Sequence, residues 1–580
     1  MMNELERELL SEVSLDEPWS LIETFAGIVR EHPNEVNRAA DLLAARLQRN
    51  GVPVTMHEPT LYLSIPLGAE VHAEGQTFRA KPPAYSADAG GGLEAELVYV
   101  PAQFARGSDD VFDTLNKEAL KSTDVQGKIV LTNGFAMPAN VSEFERRGAV
   151  GLIAINPGED IHWGICTTIW GVPDLRDLPR KPTIPALSVN RPDGEALKAL
   201  AEAGKRVTVF TRMEEGWYPS KVPVVEIPGR EEPEKFVLLH GHYDSWDIGI
   251  GDNATGNATL LELARILYKH RDKLKRSVKI AWWPGHSTGR YAGSTWFVDR
   301  FAIDLDENCV AQVNCDSPGC RWATEYKDVS LMPETEAFAA GIIADVTGKA
   351  LHAERPAQAG DYSFNNIGIS SYFMLLSTMP DDLRKEKGYY GVGGCGGNIA
   401  WHTENDRLEI ADKDVLLDDI KIYLLAALRN ANAEVLPFDW RATTGEFLAT
   451  IDRYQQAAGD RFDLNAAREA ASELDEALAT FYQAVEATTL SAREANAVIL
   501  ELARTLVPIN YTRAPRFYHD PALTIPPLPD LAVATELDEY PGDLLGFAQT
   551  ELMRGQNRVV SALRHATRRI ASALTQTTGT

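Results

Sequence analysis

The sequence predicts a multidomain α/β protein: a mixed sheet flanked by helices, an inserted β-rich module, and a helical C-terminal part. Near-continuous apolar runs, FVLLHGHYDS, SVKIAWWPG and CVAQVNCDS, alternate with amphipathic helices such as ATLLELARILYKH, the pattern of strands buried on both faces. Short β-rich runs separated by turns fill residues 81–216. Helical periodicity takes over after the proline-containing ANAEVLPFDW.

The 580 residues, 44% of them hydrophobic, are enough for several domains with sizeable cores. Helical spacing opens the chain (Leu9, Val13, Leu21, Phe25, Val29, then Ala40, Leu43, Leu47), and the alternation LYLSIPL reads as a strand before the glycine cluster ADAGGGLEAE breaks the pattern. These residues, 1–80, are assigned with 217–432 to the α/β domain. The insert, 81–216, runs through AELVYVP, GKIVLTNG, SEFERRGA, VGLIAIN and PTIPALSVNRPDGEAL. Residues 433–580 form the helical domain, where Leu474, Leu478, Tyr482 and Val485 share one face suited to core or dimer contact.

Against 83 Asp and Glu stand 57 Lys and Arg, a formal charge of -26, which repels phosphate backbones and anionic lipid and argues against nucleic-acid or membrane-surface binding. No stretch approaches the roughly 20 apolar residues that span a bilayer. The opening residues lack a basic region followed by an apolar core. The five cysteines contain no CxxC pair, as suits reduced thiols, so a cytoplasmic location is expected.

The chemistry-bearing residues cluster at strand ends. His242 closes FVLLHGH, with Asp244 two residues on and Asp252 in GDNATGNA just before a helix; Asp316 closes CVAQVNCDS; His402 lies in NIAWHTENDRL after the loop GVGGCGG. Each has a plain structural reading as a capped turn, an N-cap or a loop histidine. Together, the order His, Asp, Asp, His at the C-terminal ends of an α/β sheet points to a divalent metal centre, with zinc the expected ion. GVGGCGG lacks the strand-to-helix context of a phosphate loop and reads as a mobile lid beside His402.

These residues, the GKIVL and IPALSV runs of the insert, and ARTLVPINYTRAPRFYHDPAL near the C-terminus resemble the zinc aminopeptidase and glutamate carboxypeptidase family, in its transferrin-receptor-like branch with a protease-associated domain. The resemblance implies that His242, Asp252 and Asp316 hold one zinc, that Asp252 bridges to a second held partly by His402, that Asp244 orients a ligand at the catalytic site, and that Asp361 in GDYSFNNIGIS lies on the substrate side. It also implies a homodimer through the helical domain. The chain departs from the family in AWWPGHSTGRYAGSTWF, where His286 and Ser287 stand in place of two adjacent glutamates. His286 is then expected at the site either as a metal ligand or as the proton shuttle that replaces the lost base, and the site holds one ion or two. Tyr243 and Trp401 are expected to contact substrate, with Arg290 available for a carboxylate. The favoured function is metal-dependent hydrolysis of a C–N bond in a peptide or small amide. A non-catalytic scaffold and a mononuclear lyase or isomerase are the alternatives.

Overall fold

The computed structural model describes residues 2–105, 111 and 115–577. Its six-stranded sheet has the order Thr55–His57, Val222–Ile227, Arg276–Trp283, Glu232–His242, Cys309–Asn314, Ser371–Tyr372. The last four strands run parallel, and Val222–Ile227 is antiparallel to both of its neighbours, Thr55–His57 and Arg276–Trp283. Helices Asp16–Phe25, Pro33–Arg49, Thr255–Lys269 and Lys413–Asn432 bury Leu21, Leu43, Leu260 and Leu424 in one core with Val237, Leu239 and Ile280. With a helix layer on the sheet, these strands have no polar face to show, which is why they read as unbroken apolar runs.

Register fixes where the chemistry emerges. His242 pairs with Trp283, and His240 with Asn314. Asp316, two residues past Asn314, therefore leaves the sheet level with His242, and His286 leaves three residues past Trp283. All three lie at the carboxyl edge of the parallel strands, the usual ligand edge of such sheets.

A second, seven-stranded sheet has the order Gln76–Ala80, Thr60–Ala73, Arg206–Pro219, Leu93–Tyr99, Ile129–Asn133, Gly151–Ile155, Ala186–Val189. The LYLSIPL strand extends to Ala73 and pairs along Arg206–Pro219, so residues 60–80 belong to this sheet and not to the six-stranded one. Composition placed the boundary at 80; strand partnership, a long-range property, moves it upstream. The near end of this strand places Leu61 and Leu63 against Ala292, beside the loop that carries His286.

The C-terminal part contains helices Trp440–Ala458, Asn465–Glu486, Ala492–Tyr511 and Asp543–Thr577. Leu474 and Leu478 are fully buried, and the Tyr482 hydroxyl donates to the Phe438 carbonyl, so that helical face is core. The proline-rich segment after Tyr511 turns back across the molecule, where the Ala522 N–H donates to the Thr168 carbonyl. Among the described residues no helix is long and apolar enough to cross a membrane.

Candidate metal centre and its cavity

His242, Asp252, Asp316 and His402 come together although 160 residues of chain separate the first from the last. His242 Nε2 lies 2.9 Å from Asp252 Oδ1 and 3.7 Å from Asp316 Oδ2. The other Asp252 oxygen, Oδ2, lies 3.1 Å from His402 Nε2. Asp252 thus faces one imidazole with each oxygen, the arrangement of a bridging carboxylate. One nitrogen of His242, one of His286 and one Asp316 oxygen lie within 4.8 Å of one another.

Three segments hold these groups. Asn253 ties them: its amide donates to the carbonyls of His242 (3.3 Å) and Cys315 (2.9 Å), and its oxygen accepts from Gly256 N (3.1 Å) and Ser317 N (3.0 Å). Asp406 clasps the loop below Asp252, accepting from Gly251 N at 2.7 Å and Asp252 N at 2.9 Å. Arg30, fully buried, donates to the carbonyls of Tyr243 and Gly249. None of the three was singled out in the sequence. Asn253 and Asp406 had the signal of lying within the two ligand motifs, whereas Arg30 acts across more than 200 residues and left none.

The imidazoles share one hydrogen-bonding pattern. His242 Nδ1 meets the Asp244 carbonyl at 3.0 Å, His402 Nδ1 the Trp163 carbonyl at 3.0 Å, and His286 Nδ1 the Asp361 carboxylate at 2.7 Å. Each acceptor can only accept, so Nδ1 carries the proton and Nε2 presents its lone pair. His242 Nε2 is buried with no hydrogen-bond partner. Burial by itself pushes the His242 pKa down, yet Asp244, Asp252 and Asp316 pull it well above its ordinary value. Burial pushes Asp252 up, and His242 with His402 hold it well below the usual carboxylate range. A divalent cation would satisfy both the orphaned lone pair and the surplus negative charge, so the donor set fits zinc, which His242, Asp252 and Asp316 could hold.

His286 sits within this centre, but its geometry separates the two roles open to it. Its ring stacks on His242 with centroids 3.8 Å apart and planes 16° from parallel. An imidazole lone pair lies in its ring plane, so two stacked, nearly parallel rings present their lone pairs in separate planes, and His242 and His286 would be poorly aimed to hold one ion together.

Other expected site residues are placed differently. The Asp244 carboxylate, buried, accepts from His286 N at 3.1 Å and Ser287 N at 2.9 Å. Its Oδ1 also lies 3.7 Å from His242 Nδ1, so Asp244 ties the 286–287 backbone to His242, as its expected orienting role requires. Asp361 is fully buried and takes the Ser294 hydroxyl at 2.6 Å as well as His286; it meets no substrate. Burial raises the Asp361 pKa, and the His286 charge and hydrogen bond outweigh this and lower it. Tyr243 is fully buried in the core and its hydroxyl donates to the Lys221 carbonyl. Next to His242 on an extended chain it must face the opposite side, so it is not a substrate contact. GVGGCGG is no lid: Cys395 is buried, its N–H donates to Ser317 Oγ at 3.0 Å, and a Cβ on Gly394 would approach Trp401 within 2.8 Å. Trp401 stacks on His402 with centroids 3.7 Å apart.

A cavity of about 190 Å³ opens over the centre, reached by Asp252, His286, Arg290, Asp316, Trp401 and His402. Its apolar wall comes from all parts of the chain: Met137 and Ile165 from the insert, Met374 from the α/β part, and Leu523 and Ile525 from the proline-rich segment.

Comparison with known proteins agrees with this architecture. Residues 224–428 match the model of peptidase family M28, and residues 93–197 that of the PA domain. A probable glutamate carboxypeptidase of Zea mays is 30% identical over 235 residues, which are 38% of this chain and 32% of that protein. Carboxypeptidase Q of Bos taurus is 26% identical over 217 residues, 36% of this chain and 43% of that protein. The matched region thus spans less than half the length of these relatives. The peptidase M28 precursor of Shewanella amazonensis superposes with a TM-score of 0.56 at 18% identity, covering 74% of this chain and 97% of its own, and the aminopeptidase of Aneurinibacillus sp. strain AM-1 with 0.51 at 18%, covering 73% and 96%. At that identity the likeness concerns the fold.

Proposed function

We propose, starting from residues 224–428 as a peptidase family M28 domain accompanied by a PA domain at 93–197, that the protein is a metal-dependent hydrolase of C–N bonds in peptides or small amides, with His286 and Asp361 as its proton-carrying pair. The observation that supports this most is the shared anchoring of three imidazoles at Nδ1, with the Nε2 atoms of His242 and His402 turned toward the two oxygens of Asp252.

His242, Asp252 and Asp316 would hold one zinc ion, and Asp252 with His402 the second position. That second position has lost a carboxylate to the His286-Ser287 change, so it is the weaker, and one tightly held equivalent is expected. The ion supplies Lewis acidity and a water of lowered pKa. His286 Nε2 accepts the proton of the attacking water and later returns it to the leaving nitrogen, while the Asp361 carboxylate at Nδ1 stabilises the imidazolium between the two transfers. Asp244 keeps the 286–287 backbone in register with His242.

His286→Gln tests the reading. Retained zinc with turnover lowered by roughly 10²–10⁴-fold fits the proton carrier; loss of an equivalent of zinc fits a ligand and rejects this assignment. Protein isolated without chelator that carries no divalent metal and gains no hydrolytic activity on reconstitution counts against the hydrolase altogether.

A further inference from the structure

The cavity over the candidate metal centre is lined by a buried cation that, among the described residues, has no ion-pair partner. Arg290 is 3% exposed, lines the cavity, and has its Nε buried without an acceptor. Among the described residues its side chain makes no ion pair. Its electrostatic neighbours are Tyr291, Cys166 and the Asp361 carboxylate, which is already bonded to His286 and Ser294. A buried charge left unpaired costs several kcal/mol, and buried arginines elsewhere in the chain avoid it: Arg30 donates to the carbonyls of Tyr243 and Gly249, and Arg276 donates to the Ala433 carbonyl and pairs with Glu232.

The backbone is held so as to keep Arg290 there. Arg290 and Tyr291 are consecutive non-glycine residues at φ 46° and 71°, a left-handed pair that L-residues adopt at a cost and that tends to mark functional loops. The loop is pinned from the seven-stranded-sheet region, where Ser64 N donates to the Thr288 carbonyl at 2.7 Å and Gly171 N to the Arg290 carbonyl at 2.6 Å. The Tyr291 ring lies 4.8 Å from the guanidinium carbon and 4.8 Å, edge to face, from the His286 ring. One aromatic ring thus separates the cation from the imidazole. A molecule spanning that ring, apolar against Met137, Ile165, Met374, Leu523 and Ile525, reaches both.

We propose that Arg290 anchors a carboxylate of the substrate, so that the cavity selects compact, largely apolar amides bearing a free carboxylate. This rests on the hydrolase reading for the scissile bond but not for the anchoring itself, which is a binding property. A guanidinium takes a carboxylate through two parallel N–H bonds.

Calorimetry on the zinc-reconstituted protein tests it, with 4-phenylbutyrate and its primary amide as probes. The carboxylate should bind more tightly than the amide. Arg290→Met should weaken the carboxylate by roughly 10–100-fold, as expected for loss of a charge-assisted hydrogen bond, and move the amide by less than about 3-fold, with zinc content unchanged. Arg290→Lys, which keeps the charge but not the fork, should fall between them; if Arg290→Met loses zinc or unfolds, Arg290→Lys decides by the same comparison. Carboxylate affinity unchanged in the variants means that the anion sits on the metal, and the proposal fails. Equal weakening of both probes makes Arg290 structural and also defeats it. A protein that hydrolyses no amide yet passes the binding comparison loses the hydrolase reading and keeps the anchor.

Discussion

Three imidazoles in one protonation pattern, each fixed by an acceptor from a different part of the chain, turn a negatively charged hollow into a set of directed donors. The Asp361 carboxylate is the most informative single group, because among the described residues its hydrogen bonds go to His286 and Ser294. Asp361→Asn removes the charge that stabilises the imidazolium while nearly preserving shape. Turnover should fall by roughly 10–100-fold with zinc content intact, and its dependence on pH should change, whereas a purely structural Asp361 would lower active protein without altering that profile. Ser287→Glu restores a carboxylate where the family pattern has one, and metal analysis should find stoichiometry rising from one toward two ions. His242, Asp252 and Asp316 were legible in the sequence because they lie at strand ends or just before a helix, where local pattern exposes them, whereas His402, in a turn, was readable only from its place in the His, Asp, Asp, His order. The role of Asp361 was not, since its partner lies 75 residues away. Tyr243 was misread for a different reason: aromatic richness near the site outweighed the simple alternation of an extended chain.

Between elements, buried carboxyl groups join the α/β part to the helical one. Glu334, in the short 3₁₀ turn Pro333–Thr335, accepts from Ser370 Oγ at 2.7 Å and from Thr443 Oγ1 on helix Trp440–Ala458 at 3.0 Å. Burial raises it from 4.5 to about 7, against the pull of those hydroxyls. The folded protein therefore keeps a proton that the unfolded chain gives up above pH 4.5, so this contribution is full below 4.5 and is lost as pH rises to 7. Glu334→Gln should lessen that decline, by on the order of 3 kcal/mol at most, when denaturant midpoints of the two proteins are compared at the two ends of the window. No sequence pattern marked this residue. The strand Thr60–Ala73 shows the same limit, since its existence was readable and its sheet was not. The proline-rich segment read as an interruption because its partners, Thr168 and the cavity wall, lie far away in the chain.

For the whole molecule, we propose a homodimer through residues 433–580, carried by the resemblance of that region to a dimerisation domain. Light scattering at micromolar concentration should give about twice 63.8 kDa, and a stable mass of one chain rejects the dimer. The α/β architecture, its insert and the helical end were legible at this scale because periodicity changes are large and sustained. The cavity was not, because its wall is assembled from segments separated by hundreds of residues. One contact in it has a thermodynamic corollary. The carbonyl that orients His402 belongs to Trp163, in the insert, and not to the α/β part that carries the histidine. If His402 holds an ion as proposed, ion capture and the seating of the insert are linked equilibria: whatever loosens the seat weakens the grip on the ion, and by reciprocity the ion tightens the seat by the same free energy. Chelation should accordingly raise amide hydrogen exchange and protease sensitivity first along the seam around residues 161–166, well away from the strands that supply most of the ligands.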